Sequence, residues 1–73
     1  MKVKVAKRIY RMSKKEYQEL LEVAKEQVPK GIYAVEKGDY AELRNDKCTS
    51  TTQLKAMTRA YHSQGFKVYA NGR

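Results

Sequence analysis

The chain opens with apolar and polar residues in alternation. In Lys2-Val3-Lys4-Val5 the valines fall on one parity and the lysines on the other. That is the period of a half-buried strand. Ile9 keeps the valine parity, but Lys7 breaks it. The pattern predicts one strand over residues 2–12, with a bulge or bend at Lys7. The period then changes. Tyr17, Leu20, Leu21, Ala24 and Val28 recur at the spacing of one helical stripe. Ser13 and Glu16 form an S-x-x-E capping box, with Met12 and Tyr17 placed as a hydrophobic staple. A helix over 14–27 follows, stopped by Pro29 and Gly31.

The second half repeats this grammar. Residues 32–36 and 40–44 read as strands of a hairpin, turning at Lys37-Gly38. Asn45-Asp46-Lys47 opens a loop. Ser50 and Gln53 make a second capping box for a helix over 51–64. Its buried stripe is Leu54, Met57 and Tyr61, with Ala60 beside it, and Gly65 supplies the C-terminal stop. Residues 66–70 alternate as a last strand, and Asn71-Gly72-Arg73 reads as a frayed tail.

The order β-α-β-β-α-β in so short a chain predicts an α+β two-layer sandwich of ferredoxin-like type. Its sheet has four antiparallel strands, with the first and third central and both helices on one face. A second arrangement keeps these elements and completes the sheet by dimerisation. The helix-facing parity holds Val3, Val5, Ile9, Ala41, Leu43, Phe66 and Val68, with either Ile32/Ala34 or Tyr33/Val35. The opposite parity holds Lys4, Arg8, Tyr10, Tyr40, Glu42, Arg44, Lys67 and Tyr69.

Composition narrows the function. Seventy-three residues allow a single domain over 1–73. A core this small benefits from a partner, so a homo-oligomer is expected. One cysteine excludes an internal disulfide and a Cys-rich zinc site, and one histidine excludes a His cluster. Cys48 and His62 carry no third group of a nucleophilic triad, and no carboxylates pair for acid–base work. No cofactor motif is present: the four glycines punctuate elements and form no phosphate loop. The expectation is a non-enzymatic, cytoplasmic protein without membrane span or leader.

Charge then points to a partner. Sixteen Lys and Arg stand against eight Asp and Glu, a net +8. Residues 1–15 and 47–73 hold cations and no acid, whereas Glu16, Glu19, Glu22 and Glu26 make the first helix acidic. Such asymmetry attracts polyanions. The uncovered parity mixes tyrosines, which stack on bases, with cations, which neutralise phosphates. Lys4, Arg8, Tyr10, Tyr40, Arg44, Lys67 and Tyr69 are therefore the expected nucleic-acid-binding residues, although no RNP1 motif accompanies them. A tyrosine face also suits a protein or dimer interface. A second candidate is the start of the second helix. Lys47, Thr49, Ser50, Thr51 and Thr52 offer phosphate a cation, hydroxyls and a helix dipole, but Ser and Thr are also ordinary caps.

The strings IYRMSKKEY, VPKGIYAVEKGDYAEL and SQGFKVYANGR resemble small phage and prophage proteins of Gram-positive bacteria. The resemblance spans most of the chain and contains no catalytic motif. It implies a host-takeover or anti-defence factor that inhibits a host protein by binding it, or that sequesters a small nucleotide signal. It carries over no site residues.

Overall fold

Lys2–Val5 (β1) and Arg8–Arg11 (β2) form an antiparallel hairpin in the computed structural model, which describes residues 1–72. Val5 pairs with Arg8 across a two-residue turn, and Ala6 takes φ 57°. A single bent strand over 2–12 is thereby replaced by two strands. The sequence conceals this turn because it lacks the Gly or Asn that usually supplies positive φ. A left-handed residue with a Cβ costs about 1–2 kcal/mol.

Lys14–Gln27 (α1) follows the expected bounds. Glu16 N–H donates to Ser13 Oγ at 3.2 Å, and the Ser13 hydroxyl donates to Glu16 Oε1. Gly31–Lys37 (β3) and Tyr40–Lys47 (β4) turn at Gly38-Asp39, where Gly38 has φ 61°. The expected loop at 45–47 is strand instead, with Asp46 opposite Ile32 and Lys47 opposite Gly31. Thr51–Ser63 (α2) starts at the Ser50 cap, whose Oγ accepts from Gln53 N–H at 3.1 Å. Lys67–Asn71 (β5) closes the described chain. Asn71 is not frayed: its Nδ2 donates to Lys25 and Val28 carbonyls at 2.9 Å each, satisfying the end of α1. Arg73 lies outside the described residues.

The five strands form one mixed sheet in the order β2-β1-β4-β3-β5. This corrects the four-stranded antiparallel, ferredoxin-like expectation. β1 lies parallel to β4, and β5 lies against β3 at the far edge instead of beside β1. The cause is the hidden turn. It reverses the chain before α1, so the first crossover is β2-α1-β3. The second is β4-α2-β5, which moves across the sheet in the same direction on oppositely directed strands. Two crossovers of one hand must then lie on opposite faces.

The core confirms this three-layer arrangement. Tyr17, Leu21, Ala24 and Val28 of the α1 region pack on Val3, Ala41, Leu43, Tyr33, Ala34 and Tyr69. Leu54, Met57 and Tyr61 of α2 pack on Ile32, Val35, Val68 and Ala70. Ala34 and Val35 are neighbours in one strand and so face opposite sides. β3 is buried from Gly31 to Val35, as a strand covered on both faces must be. Its register shifts between Ile32 and Ala34, leaving Tyr33 as a bulge. The bulge puts Tyr33 with Ala34 and Ile32 with Val35, a pairing that strict alternation does not produce.

Candidate functional site

The two helices cover the sheet unequally. α1 packs on β3 and β4, and its N-terminal Tyr17 reaches Val3 of β1. α2 packs on β3 and β5. On the α2 side, β2, β1 and the first part of β4 therefore form an uncovered shelf. Three strands at ~4.8 Å spacing make it roughly 10 Å across. Register assigns its floor. Lys2 faces Arg11 on one side and Tyr40 on the other, and Lys4 faces Ile9 and Glu42. Arg44 continues the same parity along β4. Met57, Ala60 and Tyr61 of α2, with Gln64 just past its end, line a cleft of about 290 Å³ on the flank of the helix that meets Arg44 and Asp46.

A polar network ties floor to helix. Arg44 donates from Nε to Asp46 Oδ2 and from Nη1 to Glu42 Oε1, both at 2.9 Å. Its Nη2 reaches Asp46 Oδ1 at 3.2 Å, and its guanidinium lies 5.9 Å from the centre of the Tyr61 ring. The Tyr61 hydroxyl donates to Asp46 Oδ2 at 3.1 Å. The hydrogen bond to Asp46 raises the Arg44 pKa above its ordinary value. Burial, then the Asp46 charge, raises that of Tyr61. Arg44 is thus engaged as a structural cation. Tyr40 donates to Glu42 Oε2 at 3.3 Å, and Lys4 Nζ lies 3.9 Å from Glu42 Oε1. Lys2 and Arg11 are exposed cations of the shelf.

The seven expected nucleic-acid-binding residues do not share one surface. Lys4, Tyr40 and Arg44 lie on the shelf. Arg8 and Tyr10 oppose Val5 and Val3, so they lie on the α1 side. Lys67 and Tyr69 oppose Glu36 and Ala34, again on the α1 side. There Lys67 Nζ sits 5.0 Å from the Tyr69 ring centre, and Tyr69 packs 6.1 Å from Tyr33. The antiparallel partners Lys2, Ile9 and Arg11 join Lys4 instead. The missing signal was the Ala6-Lys7 turn, because a hairpin reversal shifts which residues face together.

The start of α2 is occupied by its own side chains. Gln53 Oε1 accepts from Thr49 N–H at 2.9 Å and from the Thr49 hydroxyl at 3.1 Å, while Ser50 caps Gln53. Thr51 and Thr52 are exposed on the first turn, and Lys47 is exposed on β4. This is the geometry of capping. Cys48 is buried with Sγ 3.6 Å from Met57 Sδ, and His62 is exposed on α2. The two do not make a nucleophilic pair. No group of three metal-ligating side chains occurs among the described residues, and no helix among them is long and apolar enough to cross a membrane.

On the α1 side, the buried Tyr17 hydroxyl donates to Glu36 Oε2 at 3.1 Å. Burial, then the Glu36 charge, pushes its pKa well above the ordinary tyrosine value. Tyr69 is also raised, first by its hydrogen bond to Glu36. These groups border a polar cleft of about 200 Å³ beside Lys14 and Asp39. Glu36 there accepts and holds hydroxyls, with no acid or base partner set at a reacting position.

No protein-family model, curated protein or solved structure gives a significant match to this chain.

Proposed function

We propose that this protein is a non-enzymatic nucleic-acid-binding module that uses the shelf on the α2 side of its sheet. One observation carries the reading: exposed cations gather on the one open stretch of sheet. Lys2, Lys4 and Arg11 share the shelf, and α2 carries Lys55 and Arg59 with no acid. Glu16, Glu19, Glu22 and Glu26 lie on α1, across the sheet. A strand of phosphates on the shelf meets Lys2 and Lys4 of β1 and Arg11 of β2. Tyr40 offers a partly exposed ring on the same floor. Arg44 supports the floor and does not contact the ligand, since two carboxylates hold it.

Anisotropy titration of a labelled single-stranded oligonucleotide tests this at a series of salt concentrations, with the protein kept dilute. Binding weakens with salt, with a slope of about −0.7 per phosphate contacted. Replacing Lys4 and Arg11 together by Ala lowers affinity about tenfold and flattens the slope by about 1.4. Replacing Arg8 and Lys67 by Ala removes the same charge from the α1 side and leaves the slope near wild type. Equal losses from both pairs would remove the shelf as the site. No binding of DNA or RNA at low salt would remove the function.

A further inference from the structure

Among the described residues three large apolar side chains are exposed: Ile9 at 60%, Val23 at 52% and Tyr10 at 45%. Two of them sit in opposite charge environments. Ile9 lies on the shelf, directly opposite Lys4 and two residues from Arg11, with Lys2 on the diagonal. Val23 lies on the outer surface of α1. Glu19 and Glu26 are its neighbours one turn to either side, and Glu22 adjoins it. All three glutamates are exposed. Each patch is therefore an apolar centre with a charged rim, the usual plan of a protein interface. One rim is mainly cationic, with Glu42 beside Lys4, and the other mainly anionic, with Lys15 beside Glu19 and Glu22.

Shape agrees with charge. A helix with its side chains is about 10–12 Å across. The uncovered shelf is about that wide, and α2 already flanks it as a helix in the same layer. We propose that the shelf of one molecule receives the outer face of α1 from a second copy. Ile9 then meets Val23, and Lys2, Lys4 and Arg11 meet Glu19, Glu22 and Glu26. The two patches lie on opposite sides of the sheet, so the contact is heterologous. One molecule of a pair keeps a free shelf and the other a free α1 face, so association continues head to tail. The contact forms without nucleic acid and occupies the same cations, so the second copy and nucleic acid exclude one another from the shelf.

Light scattering on nucleic-acid-free protein tests the inference through two exposed-site variants, Ile9→Glu and Val23→Lys. Wild-type mass at low salt rises with concentration past the dimer. It returns toward the monomer in ~0.5 M salt, where screening acts within a few ångströms. Each variant alone associates at least about tenfold more weakly, equivalent to about 1.4 kcal/mol. Mixed together, the two restore association but stop at a 1:1 dimer. The Ile9→Glu protein still has its helix patch, and the Val23→Lys protein still has its shelf. Arg11→Glu paired with Glu19→Lys repeats the test should either first variant fold poorly by circular dichroism. A wild type that stays monomeric at every concentration overturns the proposal. So does a closed wild-type dimer, or a variant mixture that remains monomeric. Because this assay contains no nucleic acid, its outcome is separate from that of the oligonucleotide titration.

Discussion

The two sides of the sheet are built differently. The α1 side is the better covered: Tyr17, Leu21, Ala24 and Val28 spread one helix over strands β1, β4 and β3, leaving β2 exposed. Its helix carries four exposed glutamates against three lysines. The α2 side is half open. Its helix is held over β3 and β5 by a shorter stripe, in which Leu54 alone is fully buried. Its exposed surface is basic. Small size forces this inequality, since two helices of 14 and 13 residues cannot cover both faces of five strands. The side left open is the side free to bind.

Substitutions at three positions probe this contrast. The largest effect is expected at Leu54, which is 1% exposed and anchors α2. Leu54→Ala costs about 2–5 kcal/mol in urea denaturation. Amide exchange then shows α2 opening before α1. Equal exchange in both helices would break the idea that the α2 layer is the more weakly held.

Tyr17→Phe is next. It removes a buried hydroxyl from Glu36 and costs about 1 kcal/mol near neutral pH. Its pH signature is sharper. The folded protein holds the Tyr17 proton more tightly than the unfolded chain, whose tyrosines titrate near ~10. Stability is therefore level below about pH 10 and falls as pH rises above it. Tyr17→Phe makes that alkaline fall shallower. It does not abolish it, because Tyr61 and Tyr69 are raised as well.

The smallest effect belongs to the turn that joins β1 to β2. Ala6→Gly relieves a left-handed turn residue but loosens the unfolded chain, leaving a gain of about 0.5 kcal/mol. Ala6→Val, β-branched at the same φ, loses stability. The urea midpoint reads both.

Local chemistry made much of the fold legible. Both serine caps formed where Ser13–Glu16 and Ser50–Gln53 placed them, each Oγ accepting the N–H three residues on, and α1 kept its expected bounds. A cap is a contact between residues three apart, so the sequence contains all of it. The turn at Ala6-Lys7 carries no such mark, because its conformation is imposed by the pairing of Val5 with Arg8. Missing it inverted the facing of residues 8–11. Arg8 and Tyr10 were expected on the binding face in place of Ile9 and Arg11. The bulge at Tyr33 and the extension of β4 to Lys47 were hidden for the same reason, since both exist only where strands pair.

The sequence by itself determined the helices, the hairpin of β3 and β4, the acidic character of α1 and the excess of positive charge at the ends of the chain. Tertiary structure alone decided where that charge faces. A reversal of one strand moved β5 to the far edge and sent α2 to the opposite side of the sheet from α1. Crossover handedness is a property of whole β-α-β units, whereas capping and periodicity act over a few residues. That difference in range is why the charges can be counted along the chain, but the shelf that gathers Lys2, Lys4 and Arg11 emerges only from the assembled sheet.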